Sequence, residues 1–449
     1  MVAIPSHVLL VGFGRTNQAV ARALLAREHR VEATDDQPGA GVLDVAAAIG
    51  VELTVAPNVD RLAQLMRMAG AVVPGPGLAD RHPVFALAAD LDVALLTEFD
   101  LAATWDPRPI AAITGTDGKT TVTTMVTAML NEAGIACVDA GNNDLPLVAA
   151  IDDPMPDWFV VEASSFRLGR SHDWAPRVGT WLNLAPDHLD VHATAADYEA
   201  AKARIWTSQS TSDVAVGNLD DPVVRRHLAG VESRPVSFSI IEPAADYKVT
   251  GPASGSAALA GPAGPFVGVD ELPRALPHDL SNALAAAATA HAAGADDGAV
   301  AAVLRRSRPL PHRVQLVATI DGVSWYDDSK ATVPHATLAA VRGFEHVVLI
   351  AGGRNKGLDL GELADGVAHV RAVVAIGEAS AEVEAAFDGL VPVEIATSME
   401  DAVAAAARRA VVGDAVLLSP ACASFDWYAD YAARGDDFTT RVLERKARS

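Results

Sequence analysis

Short apolar runs that stop at a polar or glycine-rich turn, followed by residues with a helical period, recur along the chain. The clearest spans 110–130. Residues 110–113 are all apolar, Gly115, Gly118 and Lys119 form a turn, and Val122, Met125, Val126, Met129 and Leu130 then fall at i, i+3, i+4, i+7 and i+8. That stripe predicts a buried strand, a turn and a helix packed on a sheet. The chain opens in the same way, with an apolar run at 8–11, the turn from Gly12 through Gly14 to Asn17, a helix over 19–27, and a strand at 31–34 ending in Asp35 and Asp36. Strand and turn pieces at 71–77 and 93–98 complete a small α/β domain, which closes where Pro107 and Pro109 interrupt any regular element.

Further along, the apolar strand at 158–161 delivers Glu162, and the run at 178–182 leads into Asn183, Asp187 and His188. A helix follows over 198–206. Residues 250–279, rich in Gly, Pro and Ala, read as short hairpins and loops anchored by Phe266, Val267, Val269 and Leu272. A helix over 278–291 is expected to start at Asp279 or Ser281. After a proline-rich stretch at 307–313, strand and turn units return at 323–332, 346–357, 373–377 and 415–426, with Pro334 suited to a first helical turn. Alternating β and α elements mean doubly wound α/β folds. The expected division is 1–107, 108–311 and 312–449. The first and third domains should be Rossmann-like, and the central one a P-loop-type ATPase domain with a mainly parallel sheet.

At 449 residues the chain is too long for one ordinary core, and about 150 residues per domain gives three. With 57 acidic against 35 basic residues the formal charge is −22, which argues against a nucleic-acid-binding surface. Cys137 and Cys422 imply no disulfide framework. The N-terminal residues have no basic region before their apolar run, and the apolar runs are too short to span a bilayer. These features predict a cytoplasmic protein without membrane insertion.

The turn at 115–121 is the strongest chemical signal. A glycine turn at a helix N-terminus attracts anions, so Lys119 would reach nucleotide phosphates and Thr120 would hold Mg²⁺. The general Walker pattern has a glycine where this chain has Ile113, so the motif is a short variant. The turn at 12–17 resembles a dinucleotide fingerprint with Asp35 and Asp36 at the ribose distance, but Asn17 replaces its third glycine. Glu162, at a strand end, suits Mg²⁺ and equally suits a helix cap or an arginine. In isolation His188 reads as a loop histidine and Lys202 as a surface lysine.

Taken in order, the pieces resemble the Mur ligase family, and within it the branch that adds D-glutamate. The marks run over nearly the whole chain: Gly115 through Thr121, Glu162 through Phe166, Asn183 through His188, Tyr198 with Lys202, His278 with Asn282, Pro311 through Arg313, Asp328 through Thr332, and Leu418 through Asp426 continued by Tyr431, Arg434, Gly435 and Phe438. The short form of the phosphate turn is the one this family uses. The resemblance implies that Gly115, Thr116, Asp117, Gly118, Lys119, Thr120, Thr121, Asn282, Arg313 and Asp328 bind ATP. It implies two Mg²⁺ ions served by Thr120, Glu162, His188 and Lys202, with Lys202 as a carbamate. Arg15, Thr16, Asp35, Asp36 and Asn142 would hold UDP-N-acetylmuramoyl-L-alanine, while Lys330, Thr332, Lys356, Ser424, Phe425 and Tyr431 would hold D-glutamate. The implied catalytic set is Lys119, Glu162, His188 and Lys202, in a monomer whose third domain closes on the second. The chain departs from the family pattern at Asn143 and Asp144, at Arg167 where glutamine is usual, and at Asn355 where aspartate is usual. Rival readings are another Mur-type or folylpolyglutamate-type amide ligase, or a dinucleotide-binding oxidoreductase or regulatory module. The last leaves Lys119, Glu162, His188 and Lys202 unexplained.

Overall fold

The computed structural model of the chain describes residues 4–142, 145–172, 174–187, 191–251 and 257–448. The residues form two compact units. The first comprises 1–184, 188–272 and 281–306, and the second 307–449 with the short stretches 185–187 and 273–280.

The first unit holds two sheets. In one, β1 (His7–Val11), β2 (Arg30–Asp35), β3 (Glu52–Val55), β4 (Ala71–Pro74) and β5 (Ala94–Leu95) run parallel in the order 3-2-1-4-5. The other contains β6 (Ile110–Thr114), β7 (Cys137–Gly141), β8 (Trp158–Glu162), β9 (Val178–Trp181), β10 (Val214–Asn218) and β11 (Arg234–Ser239), extended by β12 (Tyr247–Thr250), β13 (Ala258–Gly261) and β14 (Gly264–Gly268). Its order is 14-13-12-11-10-9-6-8-7, and its neighbours are parallel except β12 with β13 and, in the terminal hairpin, β13 with β14. That hairpin lies in the Gly- and Pro-rich stretch, as its apolar anchors predict. The strands read as continuous apolar runs because both faces are covered. Residues 8–11 and all of β6 are buried, and one apolar core joins Val8 and Leu10 to Ala112, Phe159 and Trp181.

The second unit has β15 (Gln315–Ile320), β16 (Val323–Asp327), β17 (Val347–Gly352), β18 (Val370–Ile376), β19 (Val393–Ile395) and β20 (Ala415–Leu418) in the order 15-16-20-17-18-19. All neighbours are parallel except β15 with β16. The helix Pro334–Val341 does start on its proline. The helix expected at 278–291 runs Pro277–Ala292 and therefore begins ahead of Asp279, because a proline in the first turn brings its own helical φ. Among the described residues no helix is long and apolar enough to cross a membrane.

Candidate active site

In the second sheet β6 lies between β8 and β9, and the chain passes from β6 to β7 before reaching either. Such a reversal of strand order opens a crevice at the carboxyl ends of the strands. The turn 115–118 leaves β6 at that edge, and Glu162 stands there too, paired in register with Ile113. Gly118 caps the helix Lys119–Glu132 with φ +84, a conformation that favours glycine. A Cβ at Gly118 would come 2.6 Å from Asn282 Oδ1, so the turn and the helix Pro277–Ala292 fit only around a missing side chain. Gly118→Ala should therefore strain the cradle by about 1–3 kcal/mol and weaken ADP binding, measured by calorimetry, more than it lowers thermal stability.

Asn183 fixes the turn from the neighbouring strand end. Its Oδ1 accepts from the amides of Thr116 and Asp117, each at 2.9 Å, and its Nδ2 donates to Asp117 O at 3.2 Å. The Tyr198 hydroxyl lies 3.1 Å from Thr116 Oγ1. Lys119 Nζ folds back to donate to Gly115 O at 2.8 Å and Thr116 O at 2.7 Å. Lys202, only 1% exposed, donates to the same Gly115 O at 2.8 Å and has its Nζ 4.6 Å from the centre of the Tyr198 ring. Two ammonium groups thus share one carbonyl oxygen. The lysine that reads as a surface residue in isolation is buried against the cradle.

Glu162 is buried, and its Oε1 accepts from Asn142 Nδ2 at 3.0 Å. Asn142 also donates its backbone amide to Glu162 O at 2.9 Å. Among the described residues nothing donates to the second carboxylate oxygen of Glu162. Thr120 and Thr121 follow Lys119 in the first turn of the helix, half-buried. One open carboxylate oxygen and one hydroxyl are hard oxygen donors, a set that fits Mg²⁺. His188, Asn143 and Asp144 lie outside the described residues. Among the described residues no group of three or more His, Cys, Asp and Glu side chains forms a metal cage.

The first sheet carries its predicted residues at its own carboxyl edge. Arg15 is exposed and Thr16 half-buried at the start of the helix Arg15–Ala26. Both oxygens of Asp35 are taken by backbone amides, those of Phe13 at 2.7 Å and Gln37 at 3.0 Å, and Asp36 meets His82 Nε2 at 3.1 Å. Asn17 fills the place of the missing third glycine. Its amide donates to Gly12 O at 2.7 Å and Val73 O at 3.2 Å, locking the turn to β4.

In the second unit, Lys330 Nζ stands 3.8 Å above the ring of Tyr431, and Lys356 Nζ donates to Thr332 Oγ1 at 3.3 Å. Ser424 is buried, and Phe425 is exposed. Sequence reasoning assigned no role to Arg434, which is 1% exposed. Its guanidinium donates to Ser329 Oγ and Ser329 O, both at 2.9 Å, and to Cys422 O at 3.1 Å. It ties together the two loops that carry these side chains. At the departure Asn355, the amide donates to Glu382 at 2.7 Å, a bond that an aspartate could not make. Arg313 is half-buried, with its carbonyl accepting from Arg274 at 3.2 Å.

Asp328, one of the residues the resemblance assigns to ATP, is buried. Its carboxylate faces inward, accepting from Val314 N at 3.2 Å and meeting Ser419 Oγ at 2.7 Å. Burial pushes its pKa up to about 7. Between the ordinary carboxylate range and about 7 the folded chain therefore keeps a proton that the unfolded chain loses, so this group makes stability fall as pH rises through that window. Asp328→Asn should flatten that fall, read by urea unfolding near pH 5 and pH 7.5. An unchanged pH slope would refute it.

Three doubly wound sheets, with a short phosphate turn on the second, define a ligase of the Mur class. Residues 113–290 match the Mur ligase middle domain, and 312–422 match the Mur ligase glutamate ligase domain. A UDP-N-acetylmuramoylalanine–D-glutamate ligase of Frankia casuarinae is 43% identical over 98% of this chain and 94% of its own. One from Pelotomaculum thermopropionicum is 37% identical over 98% of both. The chain therefore belongs to the Mur ligase family, in its UDP-N-acetylmuramoylalanine–D-glutamate ligase branch, and is a ligase. Solved structures share the fold at lower identity. A pseudomurein peptide ligase type C from Methanothermus fervidus has TM-score 0.63 at 17% identity, covering 98% of this chain and 100% of that one. A MurF ligase from Thermotoga maritima in complex with ADP has TM-score 0.59 at 17%, covering 98% and 95%.

Proposed function

We propose that the chain joins D-glutamate to UDP-N-acetylmuramoyl-L-alanine, using ATP, in cytoplasmic peptidoglycan precursor synthesis. The convergence of Lys119 and Lys202 on the Gly115 carbonyl, at the mouth of a glycine turn braced by Asn183, carries this reading. The alanyl carboxylate attacks the γ-phosphate of ATP to give an acyl phosphate and ADP. The amine of D-glutamate attacks that carbonyl, and phosphate leaves with the bond's electrons while the amine gives up its proton.

Lys119 and the amides of the turn hold the ATP phosphates, and Asn282, Arg313 and Asp328 serve its adenosine end. Glu162 and Thr120 would hold one Mg²⁺, while His188 and a carbamate on Lys202 would serve a second. Bound Mg²⁺ would offset the charge that gathers on the phosphoryl oxygens. A carbamate on Lys202, whose Nζ reaches Gly115 O, would supply the oxygen ligand that the metal prefers. Arg15, Thr16, Asp35, Asp36 and Asn142 orient the UDP-sugar. Lys330, Thr332, Lys356, Ser424, Phe425 and Tyr431 hold D-glutamate, the lysines matching its two carboxylates. The parts 1–107, 108–311 and 312–449 then carry the acyl donor, the nucleotide and the amine in a monomer.

Phosphate release with UDP-N-acetylmuramoyl-L-alanine and a panel of amino acids tests this. Turnover that requires D-glutamate supports it; equal turnover with L-alanine or with no amino acid refutes it.

A further inference from the structure

The proposed reaction leaves His192 without a task, although only 6% of this residue is exposed. Its ring joins separate parts of the first unit. Nε2 lies 2.9 Å from the Oγ of Ser165, which starts the short helix Ser165–Leu168. Nδ1 lies 3.6 Å from Asp80 Oδ2, an oxygen that also accepts from the Ala193 amide at 3.4 Å. The ring stacks on Phe166 with centroids 5.6 Å apart and planes at 21°, and it meets the Tyr198 ring at 5.3 Å and 48°. Burial holds the His192 pKa below its ordinary value; Asp80 and Asp197 oppose that shift, while Lys202 and Arg170 add to it. At neutral pH the ring is therefore uncharged, with one donor and one acceptor nitrogen. The Asp80 carboxylate favours the proton on Nδ1, which leaves Nε2 to accept from the Ser165 hydroxyl. A turn of the ring would lose these contacts.

Tyr198 carries that placement to the cradle. It is 2% exposed on the helix Ala195–Thr207, one turn before Lys202 and on the same face. Its hydroxyl lies 3.1 Å from Thr116 Oγ1, and its ring centre stands 4.6 Å from Lys202 Nζ. A cation beside an aromatic ring is attracted by the ring's quadrupole, so a shift of the Tyr198 ring moves both the contact with the turn and the ammonium group.

We propose that His192 is a positioning residue for the cradle: pinned by Ser165 and Asp80, its ring sets the Tyr198 ring and thereby the seats of Thr116 and Lys202. This rests on the ATP-dependent reaction proposed above. His192→Phe tests it, since that change keeps an aromatic ring against Phe166 and Tyr198 but loses both nitrogens. It should lower kcat about tenfold, because small misplacements around reacting groups are costly. KM for D-glutamate should change by less than about twofold, and the midpoint of thermal unfolding should move by less than about 4 °C.

Ser165→Ala removes the pin and leaves the rings in place. It should lower kcat to a similar extent, and the two changes together should cost no more than either alone. With carbon-13-labelled lysine, the Lys202 ε-carbon signal, assigned by its loss in Lys202→Ala, should shift in Ser165→Ala as well as in His192→Phe. A ring that only fills space would leave that signal unmoved in Ser165→Ala. Normal kcat in His192→Phe, additive losses in the pair, or an unmoved Lys202 signal in Ser165→Ala each overturns the inference. If the unaltered protein shows no ATP-dependent ligation, the reaction proposed above falls, a separate outcome, and the Lys202 signal still decides the positioning.

Discussion

Lys119→Ala should lower ATP-dependent ligation about 10²–10³-fold, the range seen when a donor to developing charge is removed. The side chain belongs to the first residue after Gly118, at the N-terminus of a fourteen-residue helix, and its Nζ is parked on Gly115 O and Thr116 O. To reach a phosphate it exchanges two neutral carbonyls for an anion, a trade that grows more favourable as charge moves onto the transferring group. The amides of the turn remain in the variant, braced by Asn183. ADP affinity should therefore fall much less than kcat. Rapid-quench measurement of ADP formation gives the answer, and a variant within tenfold of normal turnover would refute the role.

The second large effect concerns Lys202. Enzyme stripped of carbon dioxide should lose most of its activity and regain it with bicarbonate, whereas Lys202→Ala should stay at least about 10²-fold down under both conditions. The physical reason is placement. Lys202 is buried and, like Lys119, donates to Gly115 O at 2.8 Å, so a carbamate on it would set oxygen ligands beside the glycine turn, the donor type Mg²⁺ prefers. Labelled bicarbonate should give a carbamate carbon signal in NMR of the unaltered protein that is missing from Lys202→Ala. No signal, together with activity indifferent to bicarbonate, would refute this.

Much of this architecture is legible in the sequence, for identifiable reasons. β1, β6, β8 and β17 appear as apolar runs because helices cover both their faces. β7 is harder to see, since Asp139 interrupts it on the edge of its sheet. β15 goes unseen because it pairs antiparallel at an edge and four of its six residues are not buried. At the site, Gly118 and Lys119 announce themselves locally, since glycine spacing and a helix start are short-range signals. The brace from Asn183 to Asp117 spans 66 positions, and the contact of Lys202 with Gly115 spans 87. Neither has a local signature; the family pattern marks those residues without giving their geometry. Asp328 shows the opposite limit. Its polar neighbours mark a turn without saying which way the carboxylate points, and the fold turns it toward Ser419 and buries it.

If the loops of the second unit hold the amino acid as proposed, the cation beneath them bears on how the preferred amino acid could change. Arg434 grips Ser329 and Cys422 through backbone oxygens and one hydroxyl, contacts indifferent to the side chains at 330, 332, 424 and 425. Those four positions can drift one at a time while the frame beneath them stays fixed. On the proposed assignment of those side chains to D-glutamate, new selectivity is reachable in single steps through folded intermediates, whereas a change at 434 would remove the bonds that hold both loops.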